Sequence, residues 1–304
     1  MALLLLPLAS AISYFQAAVL GVLQGVTELF PISSLGHTVL FPTLFGWHQL
    51  VAMQSRSESP WLAFVVMLHV GSALGLLFYF RREWVVIIRA FFRTLVNRRI
   101  DGPNERLAWM IIVASIPAGV VGLVLEHTLR TLTAKPLAAA IGLMVNGLLL
   151  FAAERYRRRA EVRELAQREG AKADGGRRLA TLEYREAVLI GAAQSAGLVA
   201  GISRDGVTMG AGLARGLDNS DSARFAFLLA TPIILAAGIF KLPDLTGPLG
   251  HGIRGQAVVG CLVAAVTAVF TVRFLVNYFR TRTLTPFGVY CLVFGFAMVI
   301  YTQS

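Results

Sequence analysis

Hydrophobic residues of this chain are concentrated in six long runs that are separated by charged segments. The runs cover 61–80, 107–125, 137–153, 223–240, 257–276 and 286–302. A helix needs about 20 apolar residues to cross a bilayer, and each run meets that length or falls a few residues short of it. The pattern predicts six transmembrane helices in an all-α integral membrane protein.

Composition supports this fold class and narrows the choice of partners. Of the 304 residues 56% are hydrophobic and only 15% are charged, whereas about 25% of a soluble domain is charged. The net charge of +11 is also typical of nucleic-acid binding. The basic residues, however, lie in blocks between apolar runs, as topology signals do. We therefore expect a membrane protein that does not bind nucleic acid.

The blocks of basic residues predict which side of the membrane each connecting segment occupies. Nineteen Lys and Arg residues lie in 81–106, 154–186 and 277–285, against five in 45–60, 126–136 and 241–256. By the positive-inside rule the first three segments are cytoplasmic. The N-terminal stretch has no basic residue before Arg56. We expect it to be retained and to lie outside, as does the C-terminus.

Two further apolar segments cannot cross the membrane in this topology. Segment 187–216 begins and ends on the cytoplasmic side, and segment 12–44 begins and ends outside. Both are predicted to be re-entrant helix pairs, broken near Pro31 and near Gly201. Broken backbone at that depth is tolerated only against protein or a wet cavity.

The two re-entrant segments are copies of each other. At an offset of 170 residues, five of the sixteen positions from Gly21 to Gly36 are identical, and Ala63, Phe64, Ala73 and Gly75 recur at an offset of 163. Composition alone would give roughly one match in the first window, so this is an internal repeat. Three spans follow each pair, which predicts an inverted-topology repeat in one domain over 1–304. Repeat one covers about 12–153, the cytoplasmic linker 154–186, and repeat two about 187–302. Such proteins place their site where the broken elements meet.

The first copy carries groups suited to proton transfer and nucleophilic attack. Gln24 and Glu28 are one helical turn apart and share a face. Ser33, Ser34 and His37 follow at the break and supply hydroxyls and an imidazole. Ser33, like Ser203 of the second copy, can equally act as a helix cap. Other polar residues within the spans, such as His69 and Asn146, are expected to be packing or hydrogen-bonding residues.

The second copy is predicted to hold an anion. Gly201, Ser203 and Gly206 allow backbone amides to point toward a ligand, and a helix N-terminus follows. The guanidinium of Arg204 fits phosphate oxygens. Alternatively, Arg204 pairs with Asp205 or Glu28 for folding alone.

The chain resembles the bacterial undecaprenyl-diphosphate phosphatases at these motifs. The resemblance rests on Gln24-x-x-x-Glu28, Pro31-Ile-Ser33-Ser34-x-Gly36-His37 and Gly201-x-Ser203-Arg204-x-Gly206-x-Thr208. Ala223-Arg224-Phe225 and Leu68-His69-x-Gly71 support it, in family order over nearly the whole chain. It implies a membrane phosphatase that removes the terminal phosphate of undecaprenyl diphosphate. This recycles the lipid carrier for cell-wall peptidoglycan and alters resistance to bacitracin. The implied site opens toward the outer leaflet of the bacterial cytoplasmic membrane.

The resemblance also implies roles for individual residues. Glu28, Ser34, His37 and Arg204 are expected to be catalytic. The substrate-binding residues are expected to be Ser33, Gly201, Ser203, Gly206 and Thr208. A divalent cation, Mg or Ca, is expected, with Glu28, Gln24 and Asp205 as its ligands. Two positions depart from the family pattern, namely Ala200 where Pro is usual and Asp205 where Ser is usual.

Three functions remain open from the residues alone. The first is a phosphatase with Ser34 as nucleophile and His37 as proton shuttle, or with His37 as nucleophile and Ser34 as phosphate ligand. The second is a polyprenyl-phosphate flippase or transporter, which the repeat alone permits. The third, a scaffold without chemistry, does not account for the polar groups at the midplane. The expected partners are a polyprenyl diphosphate lipid and the membrane, with a homodimer as a further expectation.

Overall fold

The computed structural model describes residues 12–54, 60–133, 135–167 and 179–303, and within these ranges the regular elements are helices. The expected external N-terminal stretch 1–11 and the middle of the linker lie outside the described residues. The α-helices are α1 (Tyr14–Thr27), α2 (Ser34–Leu44), α3 (His48–Gln54), α4 (Trp61–Tyr79), α5 (Arg81–Asn97), α6 (Pro103–Thr133), α7 (Pro136–Gln167), α8 (Tyr184–Ala193), α9 (Arg204–Ala214), α10 (Asn219–Thr246), α11 (Arg254–Tyr278) and α12 (Thr285–Gln303). Short 3₁₀ turns at Leu179–Thr181, Gln194–Leu198 and Pro248–Gly250 complete the set.

The six predicted spans are confirmed as helices that are long and apolar enough to cross a membrane. They are α4, the first part of α6 (Pro103–Leu125), the first part of α7 (Pro136–Arg159), α10, α11 and α12. Helix α7 continues to Gln167, inside the segment expected to be a linker. The basic segment 81–106 also contains a helix, α5, in place of a simple loop.

Small residues allow the helices to approach closely. Helices α1 and α4 both pack on α11, and a Cβ at Gly71 of α4 would clash with the carbonyl oxygen of Cys261. A Cβ at Gly25 of α1 would lie 2.6 Å from the carbonyl oxygen of Ala264. Close packing of this kind drives association of helices in a bilayer, where burial of apolar surface gives little net gain.

Contacts between connecting segments gather the three basic segments at one end of the bundle. The Arg106 guanidinium donates to the Leu182 carbonyl at 3.0 Å, and the Leu179 amide donates to the Asp221 carboxylate at 2.6 Å. The Asn219 side chain donates to the Arg282 carbonyl at 3.0 Å. We call this end the arginine-rich end.

The opposite end is closed by an apolar cluster. Leu50 of α3, Trp61 at the start of α4, and Leu245 and Ile253 on either side of the α10–α11 turn are buried together with Ile12. Helix α1 begins at this cluster, and Gln54 of α3 donates to the Thr38 carbonyl of α2 at 3.3 Å. Helices α8 and α9, in contrast, connect to the arginine-rich end through Leu182 and Asn219.

Candidate functional site

Glu28 is the centre of a buried polar cluster at the end of α1. Its side chain is 4% exposed, and its Oε1 accepts from Nη2 of Arg204 at 2.5 Å. Its Oε2 accepts from Nε2 of Gln24 at 2.9 Å and from the hydroxyl of Ser34 in a very short bond. Gln24 reaches Glu28 because it lies one turn earlier on the same helix face. Glu28 and Arg204, which are 176 residues apart in the chain, are therefore joined at one carboxylate.

His69, which the sequence indicates as a packing or hydrogen-bonding residue, belongs to this cluster. Nε2 of His69, on α4, lies 3.3 Å from Oε2 of Glu28 and 3.4 Å from Oγ of Ser34. Its Nδ1 lies 2.8 Å from the Val65 carbonyl oxygen. A carbonyl only accepts, so Nδ1 carries a proton; Nε2 can accept from Ser34 when the ring is neutral and donates to Glu28 when the ring is protonated. A lone histidine in an apolar run gives no signal of this, because its partners lie in another helix.

The two helix breaks, between α1 and α2 and between α8 and α9, place Ser34 and Arg204 at the starts of short helices. Ser33 and Ser203 are the N-caps of α2 and α9, where their hydroxyls accept from the amides of Gly36 at 3.2 Å and Gly206 at 3.0 Å. This bears out the capping alternative for both serines and satisfies one free amide at each helix start. The residue that follows each cap is held at the first turn of its helix.

Arg204 and Asp205 form the second half of the cluster. Nη2 of Arg204 is bonded to Glu28, and Nε of the same guanidinium lies 3.5 Å from Oδ1 of Asp205. Asp205 is 1% exposed, and its Oδ2 has no hydrogen-bond partner in the described part of the chain. Thr208 donates from its hydroxyl to the Arg204 carbonyl at 2.7 Å and so stabilises the first turn of α9. Arg204 is thus paired with both Glu28 and Asp205, as the alternative to an anion-binding role predicts.

Close backbone contact holds the two breaks together. A Cβ at Gly36 would lie 2.9 Å from Cα of Gly201, and Gly201 itself has a φ of +93°, which disfavours any larger residue. Asn146 of α7 bridges the two motifs. Its Nδ2 donates to the Pro31 carbonyl at 2.9 Å, and its Oδ1 accepts from the Ser203 amide at 3.0 Å. The sequence indicates a packing or hydrogen-bonding role for Asn146, but its two partners could not be read from the chain.

His37 has partners other than the cluster. Its Nδ1 lies 2.7 Å from the Ser33 carbonyl oxygen, so Nε2 of the neutral ring accepts from the Tyr290 hydroxyl at 2.8 Å. The imidazole is stacked with the rings of Tyr290 and Phe294, with centroid distances of 5.7 and 5.3 Å. Both ring nitrogens are therefore engaged, and Tyr290 is a contact that sequence analysis did not identify.

Two oxygens of the cluster are available to a cation. Oε1 of Gln24 and Oδ2 of Asp205 are buried and have no hydrogen-bond partner in the described residues, and hard cations prefer such oxygens. Among the described residues no three His, Cys, Asp or Glu side chains converge on one point. The remaining ligands would come from phosphate oxygens and water, as is usual for Mg²⁺.

The chain is similar to a family of known proteins over almost its whole length. A family model described as bacitracin resistance protein BacA matches residues 17–297. An undecaprenyl-diphosphatase of Mycolicibacterium paratuberculosis is 52% identical, with 95% of this chain and 97% of the relative covered. Undecaprenyl-diphosphatase 2 of Frankia alni is 50% identical, over 93% of this chain and 96% of the relative. Undecaprenyl-diphosphatase 2 of Burkholderia lata is 42% identical, over 91% and 92%.

Proposed function

The chain belongs to the bacitracin resistance protein BacA family, and we propose that it hydrolyses undecaprenyl diphosphate to undecaprenyl phosphate and inorganic phosphate. The observation that carries the proposal is the cluster of Glu28, Ser34, His69 and Arg204. It brings a hydroxyl, two proton acceptors and a guanidinium that can bind phosphate to one buried point. The reaction recycles the lipid carrier of cell-wall synthesis and links the protein to bacitracin resistance.

Arg204 binds the diphosphate in this proposal. Its guanidinium presents several donors, and its Nε has no hydrogen-bond partner in the described residues. An incoming phosphate exchanges with the bond to Glu28 and keeps the positive charge compensated. In a phosphoryl transfer the charge spreads over the equatorial oxygens, so a fixed guanidinium stabilises the transition state.

Ser34 is the proposed nucleophile. Its Oγ forms a bond to the terminal phosphorus while the bond from that phosphorus to the bridging oxygen breaks, and undecaprenyl phosphate leaves with the bond electrons. The hydroxyl proton passes to the carboxylate of Glu28 or to Nε2 of His69, the two acceptors that Oγ contacts. Water then attacks the phosphoserine, phosphate leaves, and Oγ recovers its proton.

The position of His37 supports Ser34 over the alternative nucleophile. Both ring nitrogens of His37 are bonded, to the Ser33 carbonyl and to the Tyr290 hydroxyl. Nucleophilic attack by His37 would first require loss of the bond from Tyr290. Its predicted part in proton transfer stays a prediction, as do the substrate-binding roles of Ser33, Gly201, Ser203, Gly206 and Thr208.

We also propose that Gln24 and Asp205 hold the divalent cation, Mg²⁺ or Ca²⁺, together with diphosphate oxygens. The support is the pair of unpartnered oxygens on these residues. When bound, the cation would neutralise charge on the diphosphate. Glu28 is the weakest of the three predicted ligands in this arrangement, because both of its oxygens already accept from Arg204, Gln24 and Ser34.

The site is proposed to lie between two inverted re-entrant pairs, α1/α2 and α8/α9, that enter the membrane from opposite faces. The support is that α1 begins at the apolar cluster, that the α8/α9 pair connects to the arginine-rich end, and that the breaks meet at Gly36 and Gly201. We place the protein in the bacterial cytoplasmic membrane with the site open to the outer leaflet. A homodimer stays a prediction.

The hydrolysis is tested by phosphate release from a long-chain polyprenyl diphosphate by the purified protein in detergent. We expect turnover that falls when EDTA removes divalent cations. Absence of turnover at every cation concentration would contradict the function. Equal turnover with and without EDTA would contradict only the cation. The comparisons do not favour the flippase alternative, because the relatives are named for diphosphate hydrolysis.

A further inference from the structure

Helix α5 is anchored at both ends to the arginine-rich end of the bundle. Near its start, Glu83 accepts from Nε of Arg224, on the second turn of α10, at 2.7 Å. Near its end, Nε of Arg93 donates to Glu105, on the first turn of α6, at 2.6 Å. The starts of α6 and α10 are joined through 179–182 and so lie at the same end. A helix of 17 residues is about 25 Å long, so α5 lies across this end, along the membrane plane.

Helix α5 has three different sides. Successive residues are rotated by about 100°, which places Ile87, Ala90 and Thr94 on one buried side against the protein. A second side, the apolar stripe, consists of exposed hydrophobic residues. The apolar stripe comprises Val85, Ile88, Phe92 and Leu95, which are 45–58% exposed. A third side, the arginine stripe, comprises Arg82, Arg89 and Arg93 and lies about a quarter turn from the apolar stripe.

The arginine stripe has more charge than its protein partners neutralise. Arg93 is paired with Glu105, whereas Arg82 and Arg89 are exposed and have no acidic partner among the described residues. The whole segment 81–106 has seven arginines and three acidic residues, and two of those acids are already paired with Arg93 and Arg224. Helix α5 therefore carries positive charge that the protein does not neutralise, next to an exposed apolar surface.

We propose that α5 is an interfacial helix that binds anionic phospholipids at the arginine-rich end. The boundary between headgroups and acyl chains offers an apolar layer and an anionic layer side by side, in the order in which the two stripes are arranged. The apolar stripe enters the acyl boundary and the arginine stripe contacts phosphate oxygens of the headgroups. A protein partner would have to match both stripes along the plane of the membrane, whereas the lipid surface does so at once.

The placement of α5 is tested with two neighbouring valines that are equally exposed at 45%. Val85→Cys lies in the apolar stripe, and Val86→Cys lies beyond the arginine stripe, a rotation of about 100° away. Each variant of the full chain is spin-labelled and reconstituted in vesicles of phosphatidylcholine and phosphatidylglycerol, and the unsubstituted protein, with its two buried cysteines, is the labelling blank. We expect the label at 85 to lie about 5–10 Å inside the headgroup boundary and the label at 86 to be reached by a water-soluble relaxant. Equal accessibility of the two labels, whether both are wet, both in lipid or both covered by a second copy, would overturn the proposal.

The lipid class is tested by comparing the affinity of the reconstituted protein for phosphatidylglycerol with its affinity for phosphatidylcholine, among the lipids that contact the protein. We expect Arg82→Gln with Arg89→Gln to lower the preference for phosphatidylglycerol by about fivefold for each arginine, as for basic residues at an anionic surface. Replacing the same residues with lysine keeps the charge and serves as the matched control. Phosphate release in detergent should stay unchanged in both variants, because neither residue contacts the Glu28 cluster. An unchanged lipid preference in the glutamine variant would contradict the anionic partner.

Discussion

Replacing Glu28 with glutamine is expected to destabilise the protein and to lower turnover by at least about 10²-fold. The carboxylate accepts from Arg204, Gln24 and Ser34, and the Arg204 side chain is only 18% exposed. Removing one partner of a buried ion pair costs about 3–5 kcal/mol, because the other charge is left uncompensated. Asp205 still lies 3.5 Å from Nε of Arg204. We therefore expect a loss near the lower limit, about 3 kcal/mol of the free energy of unfolding.

A double-mutant cycle separates the folding role of this pair from its catalytic role. Glu28→Gln, Arg204→Gln and the double variant are compared by denaturant unfolding in detergent and by phosphate release. The double variant has no unpaired charge at this pair, so it should recover about 2 kcal/mol relative to the sum of the single losses. All three should lose at least about 10²-fold in phosphate release, as for removal of groups that stabilise the transition state.

Two results would refute the reasoning. Additive stability losses would mean that the two charges do not compensate each other. A double variant that is stable and as active as the unsubstituted protein would mean that the pair serves folding alone.

Three further predictions concern the cation, the proton acceptor and the topology. Asp205→Ser should raise the Mg or Ca concentration needed for half-maximal phosphate release, because a carboxylate ligand is lost; an unchanged cation requirement with normal turnover would contradict this. His69→Ala should lower phosphate release by about 10²–10⁴-fold, the range for a general base, whereas the exposed His48→Ala, its matched control, should not; equal effects would remove His69 from the mechanism. Thr281→Cys should react with an impermeant thiol reagent only in lysed cells and Gln303→Cys already in intact cells; labelling of both in intact cells would refute the six-span topology.

The parts of the fold that follow local sequence rules could be predicted from the sequence. The six spans depend on hydrophobic length, and the helix breaks depend on proline, glycine and capping serines near Ser33 and Ser203, so both are local signals. Helix α5 was missed because its arginines mark it as a connecting segment. The spacing of Ile87, Ala90 and Thr94 was the available signal for a helix.

The partners within the site could be predicted only in part. The repeat indicated that Glu28 and Arg204 meet, because both lie at equivalent breaks. The positions of His69, Asn146 and Tyr290 depend on how α4, α7 and α12 pack around those breaks. Packing of whole helices leaves no pattern in the residues next to a single histidine or asparagine.

The most direct test of the central claim is phosphate release from a polyprenyl diphosphate by purified Ser34→Ala. Ser72→Ala is the matched control, because Ser72 is also buried but its hydroxyl donates to the Leu68 carbonyl, outside the cluster. We expect Ser34→Ala to lose at least about 10²-fold in turnover while it remains folded, and Ser72→Ala to stay near the unsubstituted rate. Turnover by Ser34→Ala near the unsubstituted rate would contradict the serine nucleophile and with it the assignment of the reaction to this cluster.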